Sequence, residues 1–460
     1  MKKRLEFSER DKPMKKQRKI RFSAISLLLL LAIFVNLAGC VSDLWGGGED
    51  SESKVQNTEQ PTNEPDEKEP LELTAIDLMA GIEANAVSTL EDLSENNVDV
   101  VDFAVRLFKE TNEEGRSTLI SPISVLYALA MAANGAEGET RAQIEETIGM
   151  SIEELNLYLY SYTSALPQGE KYKLNLANSV WFTDDSRRFT VNQEFLQKNA
   201  DYYGADIFKA PFNDQTLNDI NKWAEYNTDG LIKKALDEMD SDAVMYIVNA
   251  LLFDAEWARI YDEDSVLDSE FKMEDGTKKD IQLMHSEEGR YLEDETATGF
   301  IKPYSGGKYA FVALLPKEGV TVAEYAEMLD GESLSELLSG VRYCKVNAAL
   351  PKFESSYDSE MSDVIEGMGI VDAFDSGAAD FSGLGESGMG NIYVNRVIHK
   401  TYIEVGELGT RAGAVTIIEA VNESITIEPP KSVILDRPFL YMIIDCENNI
   451  PIFIGTMMGD

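Results

Sequence analysis

Residues Glu404 to Ile427 read EVGELGTRAGAVTIIEAVNESITI. The segment opens as a strand and then fills with Gly409, Ala412, Gly413 and Ala414. Gly and Ala are poor strand formers, and Gly weakens a strand interior. The period-two alternation nevertheless continues. Thr410, Ala412, Ala414, Thr416, Ile418 and Ala420 share one face and none is charged, while Arg411 and Glu419 fall on the other. A slip by one residue would bury both charges. The segment therefore reads as a loop that can also serve as a strand, with one face small enough to enter a packed sheet.

The strand feeding this segment has the same period. Val397, His399, Thr401, Ile403 and Val405 alternate with Ile398, Lys400, Tyr402 and Glu404. His399 shares a face with apolar residues, so a buried, hydrogen-bonded core histidine outweighs a catalytic one. Ala243 to Phe253 (AVMYIVNALLF) is a nearly unbroken apolar run, suited to a central strand covered on both faces. Asn249 lies inside it and needs a hydrogen-bond partner. Leu119-Ile120, Leu174–Phe182 and the short runs at Phe271, Ile281, Phe300–Lys302, Tyr309–Leu315, Lys345–Leu350 and Ile392–Val394 read as further strands. Strands resume from Ser432 to the end.

Helical spacing is clearest early. Val101, Ala104, Val105 and Phe108 recur on one face, and Asn112-Glu113-Glu114-Gly115 ends that helix. Ser121 caps the next helix and Pro122 opens it. Its body, ISVLYALAMAAN, is apolar nearly all round, which predicts a buried helix stopped by Gly135. Thr140-Arg141-Ala142-Gln143 has a capping-box pattern for a helix running through Ile148. Leu217–Asn227 and Met361–Met368 read as helices, and Leu71–Leu93 as one or two more. No internal repeat is present. Helices lie mostly early and strands mostly late, which defines a mixed α+β chain. Length alone, 460 residues, suggests two or three domains.

The net charge is −41. Residues 1–39 carry an excess of seven positive charges, so the remainder carries −48. Repulsion argues against nucleic acid or an anionic membrane surface as partners, and an acidic solvated surface explains the balance. The basic cluster Lys15, Lys16, Arg18, Lys19 and Arg21 precedes the apolar run Phe22–Leu37, which closes on Leu37-Ala38-Gly39-Cys40. This is the order of a secretory signal, and the apolar run is short for a membrane span. The LAGC sequence resembles a bacterial lipoprotein signal. On that resemblance residues 1–39 are removed, Cys40 is lipidated, and acyl chains hold the protein to the outer face of a membrane. Residues 40–70, rich in Gly, Ser, Asn, Gln, Pro and acids, read as a disordered acidic linker. Cys344 and Cys446 lie in apolar runs and read as free thiols, with a bridge between them open but unsupported.

An enzyme needs a site, and none is evident. HExxH, Walker A and CxxC patterns are missing. Gly385-Glu386-Ser387-Gly388-Met389 approaches a GxSxG elbow but lacks its final Gly. Two isolated histidines, His285 and His399, argue against a metal site. No cofactor is indicated, and the chain reads as a binding or interaction protein.

Several blocks in order carry a family resemblance. They are SPISVLYALAMAANGAEGETRAQI, IVNALLFDAEW, LPKFE, GIVDAFDSGAADFSGL, VIHKTYIEVGELGTRAGAV and VILDRPFLYMI. From about Val98 to Asp460 the chain resembles the serpin family. The resemblance implies a single mixed α+β domain over 98–460, with three β-sheets, about nine helices and an exposed reactive-centre loop. It overrides the two or three domains suggested by length and leaves 71–97 as an N-terminal extension. It also implies inhibition of serine or cysteine proteases by a suicide mechanism. The protease cuts the loop and forms an acyl-enzyme, the loop inserts as a strand in the main sheet, and the protease is trapped.

Residue roles follow from the same resemblance. Glu407, Gly409, Thr410, Ala412, Gly413 and Ala414 form the hinge where insertion begins. Leu408 and Val415 depart from the family pattern, but both point away from the buried face. Counting from the hinge places the cut bond at Glu423-Ser424, with Val421-Asn422 as competitor. Gly409 to Glu423 then spans roughly 46–50 Å when extended. An acidic residue before the cut points to Glu-accepting or elastase-like proteases. Ser121, Ser124, Asn249 and His399 match the polar shutter cluster under the sheet, and Trp257 the breach where the loop enters. Ser151–Glu170 holds no Lys or Arg, which argues against a heparin-like polyanion, and a monomer is expected. A non-inhibitory serpin acting as a surface binding module, and more weakly a surface hydrolase, are the alternatives.

Overall fold

The computed structural model describes residues 70–410, except 242 and 389, and residues 429–460. All of them belong to one compact unit, Glu69–Asp460. The N-terminal half alternates helices and strands: β1 (Ile76–Asp77), α1 (Ser94–Thr111), β2 (Leu119–Ile120), α2 (Pro122–Ala133), α3 (Gly138–Ile148), α4 (Ile152–Ala165), β3 (Tyr172–Thr183), β4 (Phe189–Val191), α5 (Gln193–Tyr203), β5 (Asp206–Ala210), α6 (Asp214–Asn227) and β6 (Met245–Glu256). Then follow β7 (Val266–Lys272), β8 (Lys278–Glu293), β9 (Ala297–Pro303), β10 (Tyr309–Pro316), α7 (Val322–Met328), α8 (Gly331–Ser339), β11 (Arg342–Pro351), β12 (Phe353–Glu360) and α9 (Ser362–Gly367). The chain ends with β13 (Gly385–Ser387), β14 (Ile398–Val405), β15 (Gly409–Thr410), β16 (Lys431–Ile434), β17 (Phe439–Asp445) and β18 (Ile450–Met457). The described residues thus make nine α-helices and three sheets.

The large sheet has the order β1-β5-β3-β6-β15-β14-β12. A second sheet runs β16-β11-β8-β9-β10-β17-β18-β2, with β7 paired to β8, and β13 and β4 form a small third one. Strands β10, β17 and β18 are buried at every position, as near-continuous apolar runs should be. Helix α2 is buried almost all round. Its start is capped by Ser121, and it packs against β6 of the large sheet and β18 of the second. On the far face of the large sheet α6 and the chain after it cover a smaller core built on Trp181, Trp223 and Ile220. Truncating such a buried Trp to Ala costs about 3–5 kcal/mol.

The structure corrects several expectations. Residues 71–93 hold no helix. Their amides are taken up elsewhere: Thr74 and Ala75 donate to Asp219 Oδ2, Leu78 to the Ile207 carbonyl and Asn85 to Asp201 Oδ1. With these amides engaged elsewhere, a helical ladder cannot close through them. Thr140 is not a cap, because α3 starts earlier, from Glu137. Its buried hydroxyl instead accepts the Asp380 N–H. Ile392–Val394 forms no strand; one backbone bond, Val394 N–H to the Ala373 carbonyl, holds it. The helices α4, α5, α7 and α8, and the strands β4, β5, β12 and β13, had no sequence expectation. Strand β6 is central, but Ile247, Val248 and Asn249 are only half-buried, and among the described residues its pairing to β15 reaches Ala255 and Glu256 alone.

Candidate functional site

The bend between β14 and β15 is held at three consecutive carbonyls. The Trp257 indole N–H donates to Gly406 O at 2.8 Å, the Tyr261 amide to Glu407 O at 3.0 Å, and the Trp257 amide to Leu408 O at 2.9 Å. The Glu407 side chain pairs with Lys352 Nζ at 2.7 Å, which holds its carboxyl below the usual range. Gly409 and Thr410 then lie between β6 and β14, pairing with Glu256 and Ala255 on one side and, through Thr410, with Val405 on the other. A Cβ on Gly409 would overlap the Ala255 carbonyl oxygen, so only Gly fits. Thr410 is 1% exposed, and its hydroxyl shares a 2.5 Å hydrogen bond with Tyr304. Tyr304 in turn stacks on Trp257 at 4.4 Å.

Behind Trp257 sits a buried ion pair. Lys302, 1% exposed, places Nζ 2.9 Å from Glu288 and 4.2 Å from the centre of the Tyr261 ring. Burial pushes its ammonium down, and Glu288 opposes that. Removing one partner would strand the other in an apolar setting, which is costly.

Beyond Thr410 no ladder joins β6 to β14 among the described residues, and the shutter residues lie beneath this gap. Ser121 N–H donates to His399 Nε2 at 3.0 Å. Ser124 Oγ donates to Asn249 Oδ1, and Asn249 Nδ2 donates to Asn178 Oδ1 at 2.5 Å. His399 is therefore the buried, hydrogen-bonded histidine the alternation predicts, and burial pushes its pKa down to about 4. Asn249 has its partners.

Ser121, Ser124, Asn249 and His399 thus come together, as do Trp257, Glu407, Gly409 and Thr410. Ala412, Gly413, Ala414, Glu423, Ser424 and Cys40 lie outside the described residues. Cys344 and Cys446 are both free. Sequence reasoning missed Asn178, Lys352, Tyr304 and Lys302. Asn178 had a legible signal, a polar residue inside an apolar strand facing Asn249 across the ladder. Lys352 and Lys302 had none, since only the fold brings their partners near.

A family model described as Serpin (serine protease inhibitor) matches residues 99–459. The chain belongs to the serpin family, whose members are in general protease inhibitors. It is 27% identical to an uncharacterized serpin-like protein of Thermococcus kodakarensis, covering 94% of this chain and 98% of that one. It is 28% identical to human leukocyte elastase inhibitor, covering 80% and 99%. Among solved structures, the thermophilic serpin tengpin in its native state aligns with a TM-score of 0.80 at 44% identity, covering 84% of this chain and 100% of that one. Tengpin in its latent state aligns at 0.72 and 43% identity, covering 81% and 99%.

Proposed function

We propose that the chain inhibits serine proteases as a suicide substrate, with cysteine proteases as secondary targets. The observation that carries this reading is the hinge. Gly409 and Thr410 already sit between β6 and β14 as a two-residue strand, and among the described residues no ladder joins β6 to β14 beyond them. The better match to a native than to a latent serpin agrees with a loop still to be inserted. A protease cutting at Glu423-Ser424 forms an acyl-enzyme, and the loop then enters the gap behind Thr410 before hydrolysis, by the strand addition known for serpins. The target is an elastase-like or Glu-accepting endopeptidase, and the chain acts as a monomeric trap without turnover. Residues 1–39 direct export, lipidated Cys40 anchors the protein to the outer face of a bacterial membrane, and 40–70 space the domain from it.

Mixing the protein with elastase-like and Glu-specific proteases tests this function. An SDS-resistant complex is expected, with the released C-terminal fragment starting at Ser424 by mass spectrometry. Clean cleavage with no complex under any protease would leave the non-inhibitory reading instead. Cys40→Ser should release the protein into the medium.

A further inference from the structure

The space between β6 and β14 is crossed on its α6 side. Residues 228–244 join α6 to β6, and Ile232, Leu236 and Ala243 of this strap belong to the core built on Trp181 and Trp223. The strap is tied firmly to its own side. The Asn221 side chain on α6 donates to the Leu236 carbonyl at 2.9 Å and accepts the Leu236 N–H at 2.8 Å. Arg188 donates to the carbonyls of Ser241 and Ala243 at 2.7 and 3.2 Å. The strap also reaches β14. A narrow cleft beneath it is lined by Ile232 and Leu236 from the strap, Val248 and Ala250 from β6, and Ile398 and Lys400 from β14.

Lys400 makes the polar contact between strap and strand. Its side chain is 14% exposed, and Nζ lies 3.0 Å from Asp237 on the strap and 2.7 Å from Asp358. A looser contact of the same kind joins Arg396, just ahead of β14, to Glu238 at 4.0 Å. Lys234 and Lys400 hold the Asp237 carboxyl down to about 2, so the pair stays charged across the ordinary pH range. The two partners of Lys400 differ in one respect. Asp358 faces Lys400 directly across the β12–β14 ladder, so it travels with β14. Asp237 belongs to the strap, which is tied to α6 and continuous with β6. A strand entering between β6 and β14 widens the sheet by one strand spacing, about 4.8 Å. That draws Lys400 away from Asp237 and leaves Lys400–Asp358 intact.

We propose that the Asp237–Lys400 pair is a clasp that holds the strap across β6 and β14 and must open before the sheet widens, so that it sets the rate of strand entry. The proposal rests on the insertion reading given above. Asp237 is 57% exposed, so water replaces Lys400 readily when the clasp opens, and the pair slows entry without forbidding it. Ionic strength is the natural lever on such a device, because salt screens an exposed pair far more than a buried one.

Uptake of a fluorescein-labelled peptide copying residues 411–423 by the full chain, protease absent, measures strand entry directly. Asp237→Asn, which keeps the shape of the side chain and removes its charge, should speed uptake by about three- to fivefold, the range that an ion pair of this exposure carries. Asp237→Glu should stay near the wild-type rate. Asp358→Asn removes the partner that moves with β14 and should make uptake no faster. Salt at about 1 M should bring the wild type up to the rate of Asp237→Asn and change that variant much less. Equal rates for wild type and Asp237→Asn, or an equal acceleration by Asp358→Asn, overturn the clasp and leave the insertion reading standing. No uptake by the wild type or any variant refutes the insertion reading and the clasp together. Faster uptake by Asp237→Asn in a chain that traps no protease supports the clasp and refutes the inhibitor reading.

Discussion

Thr410 and His399 are the two residues on which the gap depends most locally. Thr410 is fully enclosed between β6 and β14, with its hydroxyl on Tyr304. An Arg there would have to leave water without a partner carboxylate, which is costly. Thr410→Arg should therefore lower protease trapping sharply while leaving loop cleavage intact. Retained trapping would show that the hinge assignment is wrong. His399 makes stability depend on pH. Its imidazole ordinarily titrates at 6.5, and in the folded chain burial pushes it to about 4. Below pH 6.5 the unfolded chain takes up a proton that the folded chain refuses, so stability falls until pH 4 and then levels off. That window is worth roughly 3 kcal/mol. Urea midpoints across it should fall more steeply for the wild type than for His399→Gln, the comparison cancelling the carboxylates common to both.

At the scale of elements, β15 owes its place to the segment after β6. Three backbone carbonyls of the bend are met by Trp257 and Tyr261 alone. The Lys352–Glu407 pair adds little by itself. Both side chains are 35% exposed, and such pairs are worth under about 1 kcal/mol. Trp257→Phe keeps an aromatic ring on Tyr304 but strands the Gly406 carbonyl. The expected cost is about 1 kcal/mol. Hydrogen exchange should show weaker protection over 404–410, and unchanged protection would place the anchor elsewhere. The segment 71–93 shows the same physics from the other side. Its composition permits helix, but carboxylates on α5 and α6 and an open edge of β5 offered its amides better partners.

For the whole molecule, the large sheet has room for one more strand between β6 and β14 among the described residues. Strands β6 and β14 are in place and, among the described residues, are joined only through Gly409 and Thr410. Filling the gap would add ten or so backbone hydrogen bonds at about 1 kcal/mol each. Divided by the unfolding entropy of a domain of this length, that corresponds to a rise of about 10 °C in Tm. Calorimetry before and after cleavage within 411–428 should show such a rise. An unchanged Tm would mean that the loop does not insert.

The alternation through Glu404–Ile427, the apolar run of β6 and the all-apolar α2 were legible from residue order alone, because period and composition are local properties. So were the burial of His399 and the need of Asn249 for a partner, since apolar neighbours in sequence already surround them. The blocks that match the serpin family added the roles of Gly409, Thr410 and Trp257. Only the tertiary structure decided that Lys352 meets Glu407, that Lys302 is buried against Glu288, and that Tyr304 closes over Thr410. It alone decided that 71–93 is extended. These outcomes turn on groups 14 to 145 residues apart in sequence, where the gain from a partner outweighs any local preference. The spacing of β6 and β14 beyond Thr410 among the described residues is of the same kind, for it is set by two strands about 150 residues apart and no single stretch of sequence contains it.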